Sequence, residues 1–230
     1  MNPIRENLST ITSAIRTAAL SCGRNPDDVT LVGVSKKQSV AAVIEGIRAG
    51  VSILGENYIQ EAVEKIEAVS DLDVSWHFIG HLQSNKAKLA VRYFDLIHTV
   101  DSLKLAKAID RQARAVGKVQ PILLQVNISN EQTKSGTDPQ EAVALARGMA
   151  GMENIALKGL MCMPPFFDDP DRARPFFRAL ADIRKAIVRE AIPGVSMDHL
   201  SMGMSGDFQV AIQEGATLVR IGTALFGERA

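Results

Sequence analysis

Eight times along this chain a short apolar run is followed by a helical stripe, and no linker rich in Pro, Gly or Ser interrupts the series. The runs fall at 30–36, 51–54, 74–79, 94–100, 119–128, 155–161, 196–200 and 216–221. Between them apolar residues recur at helical spacing, as in Val40, Val43, Ile44 and Ile47, or Phe176, Leu180, Ile183 and Ile187. Strands that alternate with helices pair in parallel, because each helical crossover returns the chain to the same end of the sheet. Eight such units in one stretch favour a closed barrel over an open doubly wound sheet. The open sheet would want a glycine-rich dinucleotide fingerprint after its first strand, where this chain reads Ser35-Lys36-Lys37-Gln38. One helix, at 1–22, precedes the barrel at 30–230. Pro3 suits its first turn, Ile4, Leu8, Ile11 and Ile15 share a face, and Gly23 ends it. The expectation is an α/β fold: a single-domain (β/α)8 TIM barrel over 1–230 with an extra N-terminal helix.

In such a barrel the chemistry lies in the loops after the strands. The first strand ends unusually, in a lysine. Side chains alternate along a strand, so Val32, Val34 and Lys36 share the inward face and Lys36 presents its amine at the C-terminal mouth. Partial desolvation weakens a lysine's preference for the charged form, and the free amine attacks an aldehyde to form a Schiff base. A lysine in that place also serves simply to end a strand. The loops after strands seven and eight often hold phosphate. Here they read Ser201-Met202-Gly203-Met204-Ser205-Gly206 and Arg220-Ile221-Gly222-Thr223. The first is rich in hydroxyls and small residues, and the amides of Gly222 and Thr223 open a turn that suits a dianion. Arg220, at the end of a buried strand, needs a partner: a carboxylate such as Glu56 or Asp198, an anion, or a heterocyclic nitrogen. Asn57 and Tyr58 follow strand two and can hydrogen-bond or pack against a ring, although Asn57 equally suits a helix N-cap.

Charge excludes other classes. The 230 residues carry 26 basic and 26 acidic side chains, which speaks against a nucleic-acid or acidic-membrane partner. No apolar run reaches the roughly 18 residues of a membrane helix, and the N-terminus lacks the apolar core of a signal peptide. Two distant cysteines, Cys22 and Cys162, fit a reducing cytoplasm. His77 and His81 have i, i+4 spacing, but His77 lies in a strand and Gly80 intervenes, so no metal site is expected. The methionines at 161, 163, 197, 202 and 204 read as barrel packing.

Several motifs in order resemble the YggS/PROSC family of pyridoxal 5'-phosphate (PLP) homeostasis proteins. They are Val34-Ser35-Lys36, Gly55-Glu56-Asn57-Tyr58, and 76–86 from Trp76 to Lys86. Asn127-Ile128-Ser129, Lys134-Ser135-Gly136 and Gly159-Leu160-Met161 follow. The set closes with 200–205 and Val219-Arg220-Ile221-Gly222-Thr223, so the resemblance spans nearly the whole chain. It implies a barrel similar to the N-terminal barrel of alanine racemase, with PLP on Lys36 as a Schiff base. It implies that Ser201, Gly222 and Thr223 contact the phosphate and that Arg220 faces the pyridine nitrogen. It further implies a cytoplasmic carrier or regulator of PLP, without established catalytic turnover, with PLP-dependent apo-enzymes as recipients. The lack of a second domain suggests a monomer. The competing class is a PLP-dependent amino-acid racemase. That reaction needs a second acid–base group beside Lys36, and the tyrosines here are Tyr58 and Tyr93. A weaker alternative is a phosphosugar enzyme using Lys36 as its Schiff-base former.

Overall fold

Short apolar strands, each covered by the helix that follows it, bury one another only when they close into a cylinder. The computed structural model describes residues 3–129, 131 and 135–228, and shows a closed parallel barrel with strands in chain order. The elements run α1 (Pro3–Ser21), β1 (Thr30–Val34), α2 (Val40–Ala49), β2 (Ile53–Glu56), α3 (Ile59–Ala68) and β3 (Ser75–Phe78). They continue α4 (Ala87–Tyr93), β4 (Leu96–Val100), α5 (Leu103–Ala115), β5 (Gln120–Gln125), α6 (Ala142–Ala150) and β6 (Ile155–Met161). They end with α7 (Arg174–Arg189), β7 (His199–Ser201), α8 (Phe208–Gln213), β8 (Leu218–Ile221) and α9 (Thr223–Phe226). The ring closes where β1 pairs with β8, from Thr30 opposite Leu218 to Gly33 opposite Ile221. The extra helix secures that seam. Ile4, Ile11, Ile15, Ala18 and Ala19 of α1 are buried as it packs on α8, α9 and α2. Asn7 Nδ2 donates to Leu225 O at 3.0 Å, and Arg24 to Ile212 O and Ala216 O at 2.7 and 2.8 Å.

Two cores result. The larger lies between strands and helices and includes Leu54, Phe78, Phe94, Ile97, Leu124, Leu160 and Phe177. The smaller fills the barrel: Val32, Leu96, Leu123, Met161 and Leu218, with Ile53 against them. That is a thin apolar filling for a fold that usually stacks three layers of side chains inside. The remaining interior is polar, with His77, His98, Ser201 and Arg220 all buried.

Several element ends differ from expectation. β1 stops at Val34, although Ser35 N still donates to Gly55 O at 3.0 Å; Lys36 then enters a turn closed by Gln38 N on Ser35 O. β2 begins at Ile53 and runs through Glu56, whose charge is met by a lysine beneath it. β5 ends at Gln125, and beyond it Val126 bridges to Thr137. β7 runs His199–Ser201 rather than 196–200, so Ser201 lies in the strand. Met163 is 40% exposed rather than packed in the barrel, because the chain has left β6 for the Pro164-Pro165 segment. The Lys134 of the Lys134-Ser135-Gly136 motif lies outside the described residues.

One glycine is imposed by backbone approach. The β5–β6 register slips between Ile122 and Leu123, and Gly159 (φ +155°) takes up the slip with His199 against it. A Cβ at Gly159 would stand 2.0 Å from His199 O. Gly159→Ala is therefore expected to cost roughly 2–4 kcal/mol in urea unfolding, because backbone must shift. Gly23→Ala, at φ +73° with nothing within 4 Å, should cost only about 1 kcal/mol. Equal losses in the two variants would contradict the close-approach account.

Candidate functional site

Lys36 sits half-buried in the turn after β1, at the C-terminal mouth. The turn is held from the helix layer. Lys65 of α3 donates to Ser35 O (2.6 Å), Glu56 Oε1 (2.7 Å) and Glu61 Oε1 (2.6 Å). Ser35 Oγ donates to the same Glu56 oxygen at 2.7 Å, and Lys37 N donates to Glu61 Oε1. Burial raises the Glu56 carboxyl above its usual value, opposed by the bonds from Lys65 and Ser35.

Arg220 lies on β8, inside the barrel and 4% exposed. Its Nη1 donates to Ser201 Oγ at 2.6 Å and its Nη2 to Cys162 O at 2.9 Å. Neither Glu56 nor Asp198 is its partner: Glu56 pairs with Lys65, and Asp198 lies 3.7 Å from Lys158 Nζ. Burial lowers the guanidinium's pKa from its usual value, with Cys162 and Asp207 acting the other way. Burial also pushes the Cys162 thiol up to about 12, so it is not a nucleophile.

From Arg220 a polar chain crosses the interior. Ser201 Oγ and His98 Nδ1 are 2.9 Å apart, and His98 Nε2 and His77 Nδ1 are 3.0 Å apart. Burial lowers His77 to about 4, against a pull from Asp95, and holds His98 well below its usual value, helped by His77 and Arg220. Both rings are thus neutral near pH 7. Each carries one N–H, so the chain runs in one of two directions. His77 is spent here and His81 faces Ser135 (Nδ1 to Oγ 3.1 Å), so the two do not converge. Among the described residues no group of three or more His, Cys, Asp or Glu is placed to hold a metal.

The loops after β7 and β8 meet at the mouth. Met204 N donates to Asp207 Oδ1 at 2.6 Å, which closes the first into a tight turn. Arg220 N donates to Gly203 O at 3.0 Å and ties it to β8. Gly222 N-caps α9, so its amide and that of Thr223 have no acceptor within the helix. Gly222 rests on Val34, two residues before Lys36. Besides that of Thr223, a hydroxyl at the opening of α9 is that of Ser205, 3.5 Å from Ala224 N. Ser201, expected at the phosphate, instead faces the interior, with its hydroxyl engaged by Arg220 and His98. Asn57 is not a cap: α3 begins after Tyr58, and Asn57 Oδ1 is buried with no partner among the described residues. A Cβ at Gly80 would stand 2.1 Å from Asn57 O, so the loops after β2 and β3 touch backbone to backbone. Tyr58 is 52% exposed at the rim.

Lys36, Asn57, Arg220, Gly222 and Thr223 thus gather at one end of the barrel. Sequence reasoning missed His77, His98, Lys65, Glu61 and the placement of Ser205. The Glu61–Lys65 i, i+4 pair and a histidine in the middle of an apolar strand were the available signals.

Fold and mouth together define a barrel of the alanine racemase type, and residues 7–230 match the family described as "Alanine racemase, N-terminal domain". Within it the chain belongs to the pyridoxal phosphate homeostasis proteins. It is 42% identical to the one from Aquifex aeolicus over 97% of both chains. To that of Escherichia coli K12 it is 41% identical over 100% of this chain and 98% of the other. It superimposes on the PipY structure of Synechococcus elongatus with PLP bound, with a TM-score of 0.85 and 36% identity over 97% of this chain and all of that one.

The neutral histidines set a pH dependence. Unfolded, each takes up a proton near its usual 6.5; folded, His77 does so only near 4. Between those values the unfolded state binds more protons, so stability falls as pH falls. Glu56 and Asp207, raised by burial, act oppositely. The test is therefore differential: from about pH 7.5 to 4.5 the wild type should lose more stability in urea unfolding than His98→Gln, which keeps those carboxyls. Parallel curves would remove His98 from the account.

Proposed function

We propose that this chain binds PLP at the barrel mouth, holds it as a Schiff base on Lys36, and keeps and delivers the cofactor rather than turning over a substrate. The observation that carries the reading is Arg220: a buried guanidinium, beside the strand that leads to Lys36, satisfied only by neutral oxygens among the described residues. A buried cation of this kind calls for an acceptor from a ligand. PLP brings an aldehyde for Lys36, a ring nitrogen that accepts from Arg220, and a phosphate for the cradle of Ser205, Gly222 and Thr223. Lys36 would hold the aldehyde carbon through its neutral amine, with one water released for each Schiff base made. Ser201 then serves chiefly to hold Arg220, and Asn57 borders the ring. The family membership and the PLP-bound PipY neighbour support the same ligand.

Carriage is favoured over racemisation because Arg220 stays cationic. A ring nitrogen that accepts from it remains unprotonated and is a weaker electron sink. A racemase would also need a second acid–base group. Tyr93 is tied to Glu67 in the helix layer (3.0 Å), which leaves Tyr58 at the rim. We place the protein in the cytoplasm as a monomer with PLP-dependent apo-enzymes as recipients. No helix among the described residues is long and apolar enough to cross a membrane.

Lys36→Ala should lose the imine absorbance with an unchanged far-UV spectrum, and borohydride should fix pyridoxyl on Lys36 of the wild type. Ser205→Ala and Thr223→Ala should each weaken PLP retention by about 1–3 kcal/mol. Loaded protein should restore activity to a PLP-dependent apo-enzyme at least as well as free PLP. Pyridoxyl on another lysine would sink the site. Sustained α-deuteration of L-alanine in D2O that vanishes in Lys36→Ala would replace the carrier with the racemase.

A further inference from the structure

A buried cluster beneath the mouth touches the chain on both sides of one residue. Lys65 is 3% exposed, and its ammonium has three hydrogens and three acceptors: Ser35 O, Glu56 Oε1 and Glu61 Oε1. Every donor is used, so the side chain is a fixed brace. Ser35 is gripped twice, through its carbonyl by Lys65 and through its hydroxyl by Glu56. Lys37 is gripped through its amide by Glu61. Lys36 lies between the two anchored residues. Lys37 adopts φ 60°, a left-handed conformation that is unfavourable for a non-glycine residue. Such strain persists only where the surroundings over-determine it, and the Glu61 bond supplies that. A buried ion pair is weak evidence for stability, since apolar replacements of similar volume often serve as well. What this one specifies is the course of the backbone at residues 35–37.

We propose that Lys65, with Glu56 and Glu61, is the positioning device for Lys36: it fixes the turn so that this amine, and not the exposed neighbour Lys37, meets the aldehyde. The proposal rests on the reading of Lys36 as the Schiff-base residue. It does not concern the contacts to the ring nitrogen and the phosphate, which come from β8 and the loops after β7 and β8, and the test uses that separation. Pyridoxine 5'-phosphate has the ring and phosphate of PLP but no aldehyde, so its binding does not depend on where Lys36 stands.

The variants are Lys65→Met, which keeps the length of the side chain and removes its donors, and the pair Glu61→Gln and Glu61→Ala. Glutamine retains the accepting oxygen and alanine does not. Three quantities are read: the rate of imine formation with PLP, the lysine labelled after borohydride (by peptide mass), and the affinity for pyridoxine 5'-phosphate. In Lys65→Met and Glu61→Ala the rate should fall roughly tenfold to a hundredfold, the scale of misplacing a reacting group by about 1 Å. Label should spread to Lys37, while pyridoxine 5'-phosphate binds within about twofold of wild type. Glu61→Gln should stay close to wild type in all three. Should Lys65→Met fail to fold, the partly exposed Glu61 pair decides alone. An unchanged imine rate in Glu61→Ala and in folded Lys65→Met, or an equal fall in imine rate and pyridoxine 5'-phosphate affinity, would overturn the positioning role. Wild-type protein that binds pyridoxine 5'-phosphate but forms no imine on Lys36 would overturn the Schiff-base reading instead.

Discussion

A guanidinium inside a parallel barrel, with no carboxylate bonded to it among the described residues, is the constraint from which the rest of the mouth follows. Taking such a charge out of water costs several kcal/mol unless its donors are met. Arg220 meets Ser201 Oγ and Cys162 O. Those contacts in turn require Ser201 to face inward, His98 to approach it, and His77 to stand behind His98. The interior is therefore polar where a barrel usually carries a second and third apolar layer, and the helix layer outside supplies most of the hydrophobic burial.

Two buried cations in one molecule are handled in opposite ways. Lys65 is neutralised by carboxylates of its own chain and uses all its donors, which makes it a structural brace. Arg220 is held in place by neutral oxygens, Ser201 Oγ and Cys162 O, and among the described residues no carboxylate bonds to it. A designed core would have treated both like Lys65. On the proposed reading, the difference separates the cation that meets the ligand from the one that holds the scaffold.

The fold and half of the mouth were legible in the sequence, because strand alternation and the position of loops after strands decide them. Lys36, Arg220, Gly222 and Thr223 stand at strand ends, where a one-residue error in the boundary leaves them at the mouth. Ser201 and Ser205 show the limit. β7 ends at Ser201 rather than at position 200, which keeps Ser201 in the strand, with its hydroxyl against Arg220 and His98. Glu56 was hidden because a carboxylate reads as the end of a strand; only the three-dimensional approach of Lys65 lets β2 continue through it. His77 was weighed only with His81, as a metal ligand, and nothing in the spacing of His77 and His98 announces that two neutral imidazoles meet nitrogen to nitrogen across a barrel.

The seam between β1 and β8 carries a consequence for how the molecule forms. Lys36 follows the first strand and Gly222 follows the last, so the two halves of the mouth belong to opposite ends of the chain. Contacts this far apart in sequence form late, since the loop between them must be ordered before they are rewarded. A cylinder open at that seam, its eight strands joined by the other seven pairings, has no complete mouth. Any small molecule held jointly by the turn at Lys36 and the amides beyond β8 binds only after closure, and by mass action it draws the chain toward the closed ring. A ligand so held would act as a latch on the closing of the ring.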